Sequence, residues 1–248
     1  MQDLGLSITE QSQIKMRITL FIPVLNEIDG VKIIMPRVKK DWVDEIIVVD
    51  GNSTDGTSEY FESHGYKVLK QQNFKHGAIG AWWEGFEAAT GDIIIPFSPD
   101  GNSIPEVIPQ LISKINEGYD MVIASRYKGD AHSDDDSLMT AFGNKMFTKM
   151  INILFRANYT DTLVMYRAFR KELLSTLKFD KEKKELLFEV LVSVRCAKLK
   201  LNVTEISASE PIRIGSGGSR AHPGIYYKLK SGLVILYLIL REFIFWKN

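Results

Sequence analysis

The chain has 248 residues, 31 Lys plus Arg against 31 Asp plus Glu, and a formal net charge of zero. That length buries a full core as one domain with room for an appendage, and 45% apolar with 25% charged residues is an ordinary globular balance. Neutrality gives no ground for a nucleic-acid partner, and the single cysteine, Cys196, excludes an internal disulfide and fits a reducing compartment.

The polar segment 1–16 lacks the apolar core of a signal peptide and reads as an extension without catalytic content. From about Arg17 to Ala124 strands and helices alternate, which predicts an α/β fold: a mostly parallel sheet with helices on its faces. The first strand, Ile18 to Ile22, ends in Pro23-Val24-Leu25-Asn26-Glu27, and a helix over 29–40 follows. The second, Ile46 to Val49, ends in Asp50-Gly51-Asn52-Ser53, after which Thr54 and Asp55 supply N-cap chemistry for a helix over 54–64. A helix over 77–90, closed by Gly91, precedes the third strand, whose run to Phe97 ends in Ser98-Pro99-Asp100-Gly101-Asn102. Ligands of open α/β sheets bind in the crevice beyond the carboxyl ends of the strands. Three strands that deliver polar clusters to one edge therefore describe a nucleotide site. The glycines after Lys75-His76 fit neither G-x-G-x-x-G nor G-x-x-x-x-G-K-[ST], so this is no dinucleotide fingerprint and no P-loop.

The spacing predicts a helix over 105–117 and a strand from Asp120 to Ala124 that leads into Ser125-Arg126-Tyr127. Lys128 to Ser137, with Gly129 and four aspartates, reads as a mobile loop over the site. Helical spacing returns over 138–156 and 185–198, and Leu201 to Ile206 reads as a strand. Near the C-terminus the uncharged run from Ser231 to Leu240 is ten residues, against the roughly 20 that a spanning helix needs. With Lys228 and Lys230 before it and Trp246 after it, the apolar segment 228–248 suits a helix lying in a membrane interface. A core or oligomer-interface helix is the alternative.

Taken together, these clusters resemble the family 2 glycosyltransferases of the GT-A fold, above all the branch of dolichol-phosphate mannosyltransferases and polyprenyl-phosphate glycosyltransferases. The resemblance implies a GT-A domain over 17–227. It also implies that Pro23, Asn26, Glu27 and Asp50 line the base and ribose pocket, with His76 and Ser98 beside the donor. A surface histidine at a helix start is the plainer reading of His76. Relatives hold Mg²⁺ or Mn²⁺ with an Asp-x-Asp at the end of the third strand. Here Ser98-Pro99-Asp100 lacks the first acid, and Asn102 stands where the branch has a glutamine, which leaves Asp100 with Asn102 as the implied metal pair, a metal-independent enzyme or an inactive homologue being the alternative. Such hard cations take oxygen ligands and offset the charge of a diphosphate leaving group.

The Ser-Arg-Tyr match implies that Arg126 faces the acceptor phosphate. Asp161-Thr162-Leu163-Val164-Met165-Tyr166-Arg167 resembles the family's Asp-x-x-x-Gly-Phe-Arg, with Met165 and Tyr166 as departures. Arg213 and the stretch from Gly215 to Arg220 resemble a late Arg-x-x-Gly-x-Ser-Lys element with one extra residue, so Arg213, Ser219 and Arg220 are implied phosphate ligands. Asp100, Arg126 and Arg213 form the implied catalytic set. The relatives' basic residue ahead of the helix near Asn144 gives way to Asp134, Asp135 and Asp136.

Transferases that act on sugar hydroxyls need a general base, usually an aspartate in a Glu-Asp pair. No such pair follows the third strand, and Glu189 is the reserve. A phosphate acceptor is already ionised near neutral pH. The expected reaction is transfer, with inversion, from a nucleotide-diphosphate sugar to a polyprenyl phosphate at the cytoplasmic face of a membrane. The protein would be peripheral there, with homo-oligomerisation open. Two alternatives remain: transfer to a sugar hydroxyl or other soluble acceptor, and a non-catalytic nucleotide-sugar-binding protein, to which Ser98 points.

Overall fold

Along the chain the elements run β1 (Ile18–Val24), α1 (Ile28–Ile34), β2 (Glu45–Asp50), α2 (Thr57–Ser63), β3 (Lys67–Lys70), α3 (Gly77–Ala88), β4 (Ile93–Pro96), α4 (Ile108–Asn116), β5 (Met121–Ser125), α5 (Leu138–Phe155), β6 (Arg167–Arg170), α6 (Leu173–Thr176), α7 (Phe188–Leu199), β7 (Val203–Ser207) and α8 (Ile225–Ile244). This is a computed structural model, and it describes residues 16–72, 77–179, 187–215 and 225–245. The strands form one sheet in the order β3-β2-β1-β4-β6-β5-β7. Every neighbouring pair is parallel except those of β6, which runs antiparallel to both β4 and β5.

The central strands explain the sheet. β1, β4 and β5 are almost wholly buried, as continuous apolar runs are when helices cover both faces. β3 closes one edge with Lys67 and Lys70 exposed at its ends, which blunts that edge against further pairing. On one face α3 comes close because Gly85 has no side chain. A Cβ there would lie 2.1 Å from the Phe21 ring. Phe21, Phe86, Phe169 and Phe188 then interlock, with neighbouring ring centroids 5.0 to 5.7 Å apart.

Several expected boundaries shift for local reasons. The first helix ends at Ile34 and passes into a 3₁₀ turn at Met35–Arg37, where Pro36 lacks an amide hydrogen. The second begins at Thr57, because Gly56 is left-handed with φ 95°. Asp55 still serves its start, accepting the Thr57 amide at 3.0 Å. Gly91 does not close α3, which ends at Ala88; its amide donates to Thr19 Oγ1 at 3.0 Å instead. The 128–137 segment is pinned rather than free. Asp134 N–H donates to the Glu210 carbonyl, Glu210 N–H donates to the His132 carbonyl, and Asp136 accepts hydrogen bonds from Tyr127 and Asn144.

The C-terminal helix belongs to the same core. Leu238 and Ile239 are buried, and Glu242, 1% exposed, pairs with Arg195 at 3.1 Å. Among the described residues no helix is long and apolar enough to cross a membrane.

Candidate active site

Beyond the carboxyl ends of β1, β2, β4 and β5 lies a cleft of about 440 Å³. Pro23 lines it from the end of β1, Leu25, Glu27 and Gly51 from the loops after β1 and β2, and Ala78 and Trp82 from α3. Ser98, Asp100 and Asn102 follow β4, Arg126 follows β5, Met165 and Tyr166 precede β6, and Ser209, Glu210 and Arg213 follow β7. The sheet order thus brings together residues more than a hundred positions apart.

The loops after β1 and β2 are stitched to each other. Asn26, held at φ 55°, accepts the Thr54 amide on Oδ1 at 2.8 Å and donates its own amide to Ser53 Oγ at 2.9 Å. Glu27 N–H donates to Thr57 Oγ1 at 2.9 Å, and Asp55 accepts the Ile28 amide at 3.0 Å. Burial raises the Asp55 carboxyl, but its hydrogen bonds with Thr57 and Ile28 outweigh that and bring it below its ordinary value. Asp50 ends β2 fully buried, takes the Ser53 amide at 3.2 Å, and pairs with Lys70 at 3.0 Å. Pro23, Glu27 and Ser98 line the cleft directly, whereas Asn26 and Asp50 stand behind it and brace its loops. His76, Ser219 and Arg220 lie outside the described residues.

The turn after β4 is held from two sides. Gly30 of α1 packs so closely that a Cβ there would meet Pro99 O at 2.5 Å and Asp100 Cα at 2.8 Å. Ile214 N–H donates to the Asp100 carbonyl at 2.6 Å. Asp100 is 3% exposed, and its Oδ1 accepts the Asn102 amide at 3.1 Å. Arg213 reaches into this turn: its Nε lies 3.3 Å from Asp100 Oδ2 and donates to Asn102 Oδ1 at 2.9 Å. Asn102 Nδ2 donates to the Pro211 carbonyl at 2.8 Å.

Ser98, Asp100 and Asn102 are all oxygen donors, the chemistry a hard cation takes. Their arrangement does not fit a divalent ion, because the guanidinium already engages the carboxylate and carbonyl oxygens that would bind it. Among the described residues no group of three or more His, Cys, Asp or Glu side chains is placed to hold a metal.

Arg126 is 7% exposed and faces three carboxylates. It grips Asp161 with two prongs, Nε to Oδ2 at 2.7 Å and Nη2 to Oδ1 at 3.1 Å. Its Nη1 donates to Glu210 Oε2 at 3.3 Å and lies 3.6 Å from Asp136. Burial disfavours its charge, but the bond and charge of Asp161, with the charge of Glu210, push its pKa further up. The guanidinium is therefore committed to organising acids, and an acceptor phosphate would compete with them for it. Glu210 was not foreseen from sequence. Burial raises its carboxyl above the ordinary value and Asp136 adds to that, against Arg126 and a hydrogen bond from Ser133. Glu189, the reserve base, is not among the cleft-lining residues; its carbonyl accepts from the buried Arg167.

A family model described as Glycosyl transferase family 2 matches residues 19–178, which hold both nucleotide-side loops and the Asp100 turn. The chain belongs to glycosyl transferase family 2. Curated relatives include an undecaprenyl-phosphate 4-deoxy-4-formamido-L-arabinose transferase of Yersinia enterocolitica, 33% identical over 182 residues, covering 68% of this chain and 53% of that protein. The protein of that name in Pectobacterium atrosepticum is 31% identical over 175 residues, 64% of this chain and 50% of its own. The chain spans about half the length of these relatives. Among solved structures, glucosyl-3-phosphoglycerate synthase from Mycobacterium tuberculosis with Mn²⁺, UDP-glucose and phosphoglyceric acid superposes with a TM-score of 0.67 at 20% identity, covering 94% of this chain and 81% of that one. That likeness supports the GT-A fold. In this family 2 chain the parts of the cleft that follow β7, Glu210 and Arg213 among them, lie beyond the segment that the family model matches.

Proposed function

We propose that this family 2 glycosyltransferase moves a sugar, with inversion, from a nucleotide-diphosphate sugar to a polyprenyl phosphate. The donor side rests on the stitched loops after β1 and β2, with Pro23 and Glu27 on the cleft wall, braced from behind by Asn26 and Asp50. Ser98 and Asp100 stand next to them, and Arg213 supplies positive charge. Ser219 and Arg220 join Arg213 in this reading as phosphate ligands. The acceptor is drawn from the relatives, whose names specify undecaprenyl phosphate.

The single observation that carries the lipid acceptor is the surface of α5 and α8. These helices lie side by side, with Lys228 Nζ donating to Ser137 Oγ at 3.0 Å near one end and Phe155 against Phe243 at 5.8 Å near the other. α8 exposes Tyr226, Leu229, Leu233, Tyr237, Leu240 and Ile244, and α5 exposes Leu138, Phe142, Met146 and Ile153. Lys145, Lys149, Lys228 and Lys230 are exposed on the same two helices. α5 contains no acid, and the one acid of α8, Glu242, is buried. Apolar and basic with no exposed acid is the composition that binds an anionic lipid surface, and in this reading the protein sits peripherally at the cytoplasmic leaflet.

A second reading, transfer to the hydroxyl of a soluble acceptor, is favoured by one observation. Glu210 puts a carboxylate with a raised pKa in the cleft, as a general base requires. Release of nucleoside diphosphate from a panel of nucleotide sugars separates the two. The lipid reading expects release to depend on undecaprenyl phosphate and to survive Glu210→Gln. Release driven by a sugar alcohol and abolished by Glu210→Gln would establish the second reading instead.

A further inference from the structure

We infer that the Arg213 guanidinium does for this chain what a divalent cation would otherwise do: it holds and neutralises the donor diphosphate from the Asp100 turn, without a metal ion. The inference rests on the donor reading above and adds to it the means of charge compensation.

The position is built rather than incidental. Arg213 sits one residue before Ile214, whose amide is bound to the Asp100 carbonyl at 2.6 Å, so the backbone after β7 is tied to the turn it serves. Gly30 seals the other side of that turn. Within it, Nε of Arg213 bridges Asp100 Oδ2 and Asn102 Oδ1. Asn102 is fixed in turn by its amide nitrogen on Pro211 O, which sets the carbonyl end toward Arg213. The side chain nevertheless remains 30% exposed and lines the cleft. Nε is thus spent on orientation. Nη2 lies 3.8 Å from Asp135, and the one side-chain hydrogen bond of Arg213 seen among the described residues is made by Nε. A guanidinium held at Nε on a residue that lines the cleft suits the oxygens of a phosphate.

Charge decides between the guanidinium and an ion. Ser98 contributes no charge, so Asp100 is the one carboxylate in the Ser98-Pro99-Asp100-Gly101-Asn102 segment. The Arg213 guanidinium pairs with that carboxylate and lies 3.8 Å from Asp135. A dication would have to displace it from Asp100 Oδ2 and Asn102 Oδ1 and would then sit beside a second cation. At such separations in a partly dry site, like charges repel by several kcal/mol.

The test is binding rather than turnover. Titration calorimetry of the full chain with UDP, GDP, ADP and dTDP is run in EDTA and again in Mn²⁺, while the electron paramagnetic resonance signal of free Mn²⁺ is followed. At least one nucleotide is expected to bind in EDTA, with an affinity that Mn²⁺ changes by no more than about twofold. The free Mn²⁺ signal is expected to persist when protein is added. Arg213→Ala should weaken that nucleotide in EDTA by about tenfold or more, since charge-assisted hydrogen bonds are lost. Arg213→Lys, which keeps the charge but not the fork, should fall between. The double variant Ser98→Asp with Arg213→Ala restores an acid pair and removes the guanidinium, and should bind nucleotide only with Mn²⁺. Nucleotide binding by the unmodified chain that requires Mn²⁺ and quenches its signal would overturn the inference and leave the donor reading standing. Absence of binding in both conditions would remove the donor reading and the inference with it.

Discussion

Arg126 stands among Asp161, Asp136 and Glu210, and removing its guanidinium leaves those acids facing one another in a buried place. Deleting one partner of a buried pair typically costs about 3–5 kcal/mol, so Arg126→Ala is expected to lower the melting temperature clearly in differential scanning calorimetry. A melting temperature equal to that of the unmodified chain would show that the cluster is not structural. Glu210 gives a pH signature. Its folded pKa is raised, so its contribution to stability is full below the ordinary carboxyl value of the unfolded chain and is lost as pH rises from there through the folded value. Melts from acid to neutral pH should therefore show the unmodified chain losing stability relative to Glu210→Gln. The opposite slope would mean that the carboxylate is better solvated in solution than its surroundings indicate. Arg126 was legible in the sequence because Ser125-Arg126-Tyr127 forms a motif, but its partners were not. Glu210 carries no local pattern. It reaches Arg126 because β7 pairs with β5, with Ser125 opposite Ser207, and no spacing rule reveals that register.

At the level of elements, β1, β2 and β4 could be read directly, because each is an apolar run cut off by Pro, Gly, Asn or Asp. β3 and β6 could not. Each has four residues with charged ends, and β6 buries Arg167 fully where an apolar residue would mark a strand. α8 illustrates a different limit. Its composition offered a membrane helix or a core helix, and the structure buries one face in the core and leaves the other exposed. Leu238, Ile239 and Glu242 pack inward, while Leu233, Tyr237 and Leu240 stay exposed. Deleting the helix would therefore disrupt the core through the loss of Glu242 from Arg195. Replacing Leu233 and Tyr237 with Asp tests the outer face alone. The double variant should lose most of its co-sedimentation with liposomes containing anionic phosphatidylglycerol, keep its melting temperature, and keep its nucleotide affinity. Unmodified protein that ignores such liposomes but dissociates from dimer to monomer on these substitutions would make the face an oligomer interface.

For the molecule as a whole, the sheet gathers three parts of the cleft at one edge: the loops after β1 and β2, the turn after β4 with Asp100, and the segment after β7 with Arg213. α5 with α8 adds an exposed apolar and basic face, to which the proposal gives the lipid. The central claim is that these together build a sugar–phosphate–lipid linkage. Mass spectrometry with ³¹P NMR of undecaprenyl phosphate, incubated with the full chain and the nucleotide sugar it turns over, tests that claim most directly. The lipid should gain the mass of one sugar residue while its phosphorus changes from a monoester to a diester. Consumption of the donor while the lipid remains a phosphate monoester would contradict it.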